Sequence, residues 1–166
     1  MKLSINISDT ESNGGDSTDY DKYEKISSVL EKELREIYPM SKNFETVEIS
    51  LTFMTPEEIR ALNKEYRNID EPTDVLSFPL LDENIPVEVP ELPVLALGDI
   101  VICPDEVQRL HPELSPDEGI YLMIAHSFLH LLGFDHDTPE KEELMWRRQD
   151  AIKDKILAVV SSTEAN

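Results

Sequence analysis

Eleven residues, His126-Ser-Phe-Leu-His130-Leu-Leu-Gly133-Phe-Asp135-His136, constrain this chain more than any other stretch. Residues four apart on a helix project from one face a turn apart, so His126 and His130 offer two imidazoles to a single ion. Gly133 tolerates a left-handed backbone; it ends the helix after Leu132 and reverses the chain so that His136 supplies a third imidazole. Three imidazoles with a vacant fourth position are the ligand set of catalytic zinc, whereas structural zinc is usually closed by four protein ligands, often thiolates. The chain has one cysteine, which excludes a closed thiolate site. A lone histidine on an apolar helix is ordinarily just a packed or hydrogen-bonded side chain, and His-x-x-x-His pairs arise by chance. Here three of the four histidines fall within eleven residues, with glycine where the turn needs it, and the metal reading is favoured. His111, the fourth, stands in a Leu-His-Pro turn and is expected at the surface.

A chain of 166 residues is most simply one domain with a core that needs no disulfide. No apolar run nears the roughly 20 residues that cross a bilayer, and the amino terminus alternates instead of forming a signal-peptide core. No membrane is therefore expected, and a cytoplasmic location is. Cys103 lies in the apolar run Asp-Ile-Val-Ile-Cys and reads as a small buried hydrophobe. The net charge of −20 excludes a protein held to nucleic acid by global phosphate attraction. Any such substrate must be held locally or delivered by a partner.

Periodicity places the elements. Residues 2–7 alternate as a half-buried strand, and residues 9–19, with Asn-Gly-Gly and several acids, read as a loop. Tyr23, Ile26, Leu30, Leu34 and Ile37 recur at helical spacing over residues 21–37, before Pro39. Val47, Ile49, Leu51 and Phe53 mark a second strand, and Thr55-Pro56-Glu57-Glu58 is a capping box that starts a helix at Pro56. Arg60, Lys64 and Arg67 form a basic stripe along it, which on its own reads as a solvated face paired with Glu57 or Glu65. Pro72-Thr73-Asp74 opens a short strand over residues 75–78, closed by Pro79. Pro86, Pro90 and Pro93 punctuate an acidic loop; residues 95–103 are a central strand in which Gly98 marks a bulge or a close approach. Residues 104–110 form a short helix. Ser115-Pro116-Asp117-Glu118 repeats the box-plus-proline signal and launches the histidine helix, and Thr138-Pro139 starts a last helix to about Val160 whose Met145, Ile152 and Ile156 face the core.

An ion held by three neutral imidazoles keeps its double charge and lowers the pKa of bound water to about 7, so hydrolysis is the natural output. In peptidases with this histidine spacing, the residue after the first histidine is a glutamate base; here it is Ser127, which disfavours that chemistry. A phosphodiester asks less of a protein base and more of a cation that neutralises developing charge. Arg67 is the candidate, because a guanidinium contacts two phosphate oxygens at once.

Three blocks carry a family resemblance: Asn63-Lys-Glu-Tyr-Arg67-Asn-Ile-Asp70-Glu-Pro-Thr-Asp74-Val-Leu-Ser-Phe-Pro79, Leu97-Gly98-Asp99-Ile100, and the segment from His126 to His136. The sequence resembles the YbeY-type bacterial endoribonucleases of ribosomal RNA maturation. The resemblance implies an α+β fold: a single domain with a small mixed four-stranded sheet and about five helices. It implies one zinc ion on His126, His130 and His136, with Arg67 beside it. It implies metal-dependent cleavage of single-stranded RNA, in maturation of the 3′ end of small-subunit rRNA and in ribosome quality control, with ribosomal particles and their proteins as partners. Ser127 departs from the family's usual glycine. Two other readings compete: a zinc peptidase with an unrecognised base such as Asp135, and a ribosome-assembly module whose metal is structural. Asp135 is assigned to orienting a ligand.

Overall fold

The computed structural model describes residues 1–9, 17–81 and 94–164. The expected acidic loop with Pro86, Pro90 and Pro93 lies outside the described residues, as does most of the expected loop after Asp9. Four strands, β1 (Lys2–Asp9), β2 (Thr46–Phe53), β3 (Val75–Pro79) and β4 (Val94–Ile102), form one mixed sheet in the order β1-β2-β4-β3. β1, β2 and β4 run parallel, and β3 returns antiparallel along β4. Parallel neighbours need a crossover. Helix α1 (Ser17–Ile37) makes the first, and α2 (Pro56–Arg67) together with β3 lies within the second. α3 (Pro104–Leu110), α4 (Pro116–Leu131) and α5 (Pro139–Glu164) complete this α+β fold.

Each element forms for the reason its sequence suggests. Val47, Ile49 and Leu51 are at most 1% exposed, so one face of β2 is core. Thr55 caps α2 with both halves of the box in place: its Oγ1 accepts from the Glu58 N–H, and Glu58 Oε1 accepts from the Thr55 N–H. Ser115 caps α4 through the first half alone, accepting from the Glu118 N–H. Elements run past their expected ends, α1 beginning at Ser17 and α5 reaching Glu164.

β4 is covered on both sides because it lies inside the sheet. Ile100 and Ile102 join the larger core with Leu30 and Leu34 of α1, Phe128 of α4, and Met145, Ile152 and Ile156 of α5. Val101 points the other way, into a smaller cluster with Ile59 of α2, Leu76 of β3 and Cys103. Alternate residues of one strand thus serve two layers. Burying each such aliphatic side chain contributes about 1.5–3 kcal/mol.

Gly98 is both a bulge and a point of close approach. The β2–β4 register shifts between Glu48 and Ile49, so that Leu97 is the extra residue of the bulge. Gly98 takes φ 147°, and a Cβ there would run into the Phe78 carbonyl oxygen and lie 2.7 Å from Leu131 Cδ2. β3 can therefore tuck against β4 directly beneath the histidine helix. Gly98→Ala is expected to cost about 2–4 kcal/mol, read as a lowered midpoint in urea unfolding.

Candidate functional site

α4 is an apolar helix with few exits. Tyr121, Ile124, Ala125, Phe128, Leu129 and Leu131 are at most 2% exposed, leaving one strip on which His126 and His130 emerge. The nitrogen atoms of these rings are committed by their surroundings. His126 Nδ1–H donates to Gln149 Oε1 of α5 at 2.7 Å, and His130 Nδ1–H donates to the Phe134 carbonyl at 2.9 Å. Both acceptors are oxygens, so both protons sit on Nδ1 and both Nε2 atoms carry lone pairs. Those two Nε2 atoms face each other at 3.1 Å.

Two lone pairs at that distance repel unless a cation lies between or beside them. Nitrogens bound to one tetrahedral zinc, each at about 2.0–2.1 Å, stand about 3.3 Å apart. The donor pair therefore fits a metal ion. Burial lowers the pKa of His126, and burial with the neighbouring His126 lowers that of His130, so both hold the neutral form that ligates.

The turn after α4 is built by Gly133. Its φ of 94° lets its N–H reach the His130 carbonyl and the Phe134 N–H reach Leu129, at 3.0 Å each, a Schellman motif. The same turn swings the Phe134 carbonyl back onto the His130 ring. Arg148 of α5 lies 5.8 Å from the Phe134 ring centroid and steadies it. His136 follows on exposed chain, its ring centroid 5.5 Å from that of His130 and 6.4 Å from that of His126. Among the described residues, no three His, Cys, Asp or Glu side chains are gathered as a finished metal site. The fold unites the helix pair and brings the third imidazole alongside.

Around these rings opens a cleft of about 420 Å³, walled by Thr73, Asp74, Val75, Ser77 and Pro79 and by the three histidines, with Arg67 and Asp135 also lining it. Of the basic stripe, Arg67 alone lines this cleft. It is the last residue of α2, where Asn68 in a left-handed conformation (φ 63°) stops the helix, and it makes no ion pair with another described residue. Arg60 pairs with Asp70 at 2.9 Å instead of the expected Glu57 or Glu65. Asp135 Oδ1 accepts the His136 N–H at 2.7 Å, so it shapes the loop that carries this histidine. Ser127 is fully buried, and its Oγ has no hydrogen-bond partner among the described residues. It faces the core and takes no part in the cleft wall.

Three site residues carry little or no sequence signal. Gln149 comes from another helix, 23 residues beyond the ring it holds. Asp74 stands in a block that carries the family resemblance, but on its own it reads as the start of a strand. His111, expected at the surface, is half-buried: as the residue that ends α3, it is delivered to Asp74, where its Nε2 lies 3.2 Å from Oδ2.

The fold and cleft together define an α+β protein with a histidine-centred, arginine-lined site on one edge of its sheet. Residues 12–157 match the family described as Endoribonuclease YbeY, and the chain belongs to that family. Relatives bearing the same description come from Thermoanaerobacter sp. strain X514 (38% identical, covering 76% of this chain and 85% of the relative) and Limosilactobacillus fermentum (46%, covering 66% and 74%). Another comes from Clostridioides difficile (37%, covering 82% and 91%). The solution structure of TM1509 from Thermotoga maritima is similar over 96% of this chain and 93% of that one, with a TM-score of 0.56 and 26% identity.

Two outcomes follow from the ring geometry. Gln149→Ala frees the His126 ring and is expected to weaken zinc binding about 10- to 100-fold, measured by competition with a chromogenic chelator. Because burial keeps the helix pair neutral below the ordinary histidine pKa of about 6.5, zinc added to the protein is expected to be released only at more acidic pH. Metal content after dialysis between pH 7 and pH 5 checks it.

Proposed function

We propose that the protein is a zinc-dependent endoribonuclease that cuts single-stranded RNA, acting in maturation of the small-subunit rRNA 3′ end and in ribosome quality control in the cytoplasm. Membership of the Endoribonuclease YbeY family supports the nuclease class. The observation that carries the metal dependence is the 3.1 Å pair of Nε2 lone pairs in a cleft beside an arginine. His126, His130 and His136 would hold the ion, which supplies a Lewis acid and an activated oxygen nucleophile when bound.

The chain's own residues do the rest. Gln149 and Phe134 hold two ligand rings with their lone pairs inward. Arg67, which lines the cleft without another described ion partner, would take two oxygens of a phosphate and neutralise charge as it develops. The cleft is open at a sheet edge, where an unpaired strand can lie. With a net charge of −20, the protein does not attract RNA at long range, which fits recruitment through the proteins of ribosomal particles. No described helix is long and apolar enough to cross a membrane. The peptidase alternative loses ground, because the position after His126 holds a buried hydroxyl instead of a carboxylate at the cleft.

The test compares a single-stranded RNA with a casein-type peptide substrate at known metal content. Wild type is expected to cut RNA alone. His130→Ala is expected to lose metal and cleavage together, whereas Arg67→Glu keeps the metal and loses at least about 100-fold in cleavage rate. Metal-independent cleavage by the His130 variant would sink the mechanism.

A further inference from the structure

Resting on the nuclease reading of this cleft, we propose that Asp74 is the base that takes the proton from the attacking hydroxyl, and that His111 is the positioning residue that aims it. Among the described residues the site otherwise lacks a base. Ser127 is buried away from the cleft, His126 and His130 donate from Nδ1 and would give Nε2 to the ion, and His136 would be the third ligand. Among the described residues two carboxylates line the cleft, Asp74 and Asp135. Asp135 is exposed and holds the turn that presents His136. Asp74 is different in kind.

Its backbone is anchored where β3 begins, its carbonyl accepting the Cys103 N–H at 2.9 Å. Its Oδ1 accepts from the Val75 N–H at 2.8 Å and from the Thr73 hydroxyl at 3.2 Å, which fills both acceptor positions. Its Oδ2 accepts from His111 Nε2–H at 3.2 Å and has no other hydrogen-bond donor among the described residues. The side chain is 20% exposed, and that of His111 is 27% exposed. A carboxylate with three of four acceptor positions occupied, fixed in direction and partly open to the cleft, is a preorganised proton acceptor.

The step balances. The proton of the attacking 2′-hydroxyl passes to Oδ2 as the new O–P bond to the adjacent phosphorus forms. The P–O bond to the leaving nucleotide breaks, and its oxygen takes a proton back from Asp74, which ends the cycle ionised.

Asp74→Asn keeps the shape and the Oδ1 acceptor but removes the basicity. The expected result is wild-type zinc content, a single-turnover cleavage rate lowered at least about 100-fold, and binding of an uncleavable 2′-deoxy oligonucleotide unchanged or tightened about two- to fivefold, since a negative charge has left the cleft. His111→Ala is expected to lower kcat about tenfold with KM unmoved, and His111→Gln, which keeps a donor, to restore most of it. Cleavage by Asp74→Asn at the wild-type rate overturns the base assignment, and so does loss of zinc from that variant, which would make Asp74 a ligand. If Asp74→Asn does not fold, the His111 pair decides, and wild-type kcat in His111→Ala overturns the proposal. Failure of metal-loaded wild type to cut any RNA removes the nuclease reading as well, an outcome distinct from equal cleavage by wild type and variant.

Discussion

Two imidazole lone pairs held 3.1 Å apart on one helix are the constraint on which the site depends. Such a contact persists only if both rings are prevented from turning away. Gln149 of α5 holds the first and the Phe134 carbonyl holds the second, so α5 and the Gly133 turn are as much part of the site as the rings. α4 itself cannot shift to relieve the repulsion, because its other faces are buried against the sheet and α5. The apolar core thus preorganises a polar arrangement that a mobile helix would not hold.

The edge strand β3 joins the two halves of the cleft. Val75, Ser77 and Pro79 form its wall on the α4 side, while Leu76 and Phe78 pack toward α2, which ends in Arg67. Its position rests on Gly98, whose missing side chain lets β3, β4 and Leu131 meet. Arginine and histidines reach one cleft from opposite layers of the sheet because only a short strand separates them.

Charge acts on two scales. The chain as a whole is strongly acidic, which opposes indiscriminate binding of polyanions. Locally the balance reverses at Arg67, left without an ion partner among the described residues, while Arg60 on the same helix is held by Asp70. Two arginines of one basic stripe are therefore put to different uses, Arg60 paired with Asp70 and Arg67 presented to the cleft, a distinction set by where the helix ends.

The histidine helix, its glycine stop, the alternation in β1 and β2, the Thr55 cap and the bulge at Gly98 were legible in the sequence, because each is a local matter of period, backbone freedom or side-chain-to-backbone bonding. The extent of α1 and α5 was less so, since helix ends depend on what they pack against. Nothing local could show that Gln149 would meet His126, that His111 would turn inward to Asp74, or that Arg67 and not Arg60 would line the cleft. The two hydrogen bonds join residues 23 and 37 positions apart, and it is the docking of α5 on α4 and of β3 on β4 that closes the distance. Sequence alone determined which groups were available for chemistry; tertiary packing decided which way they face, because direction is a property of the neighbours and not of the residue.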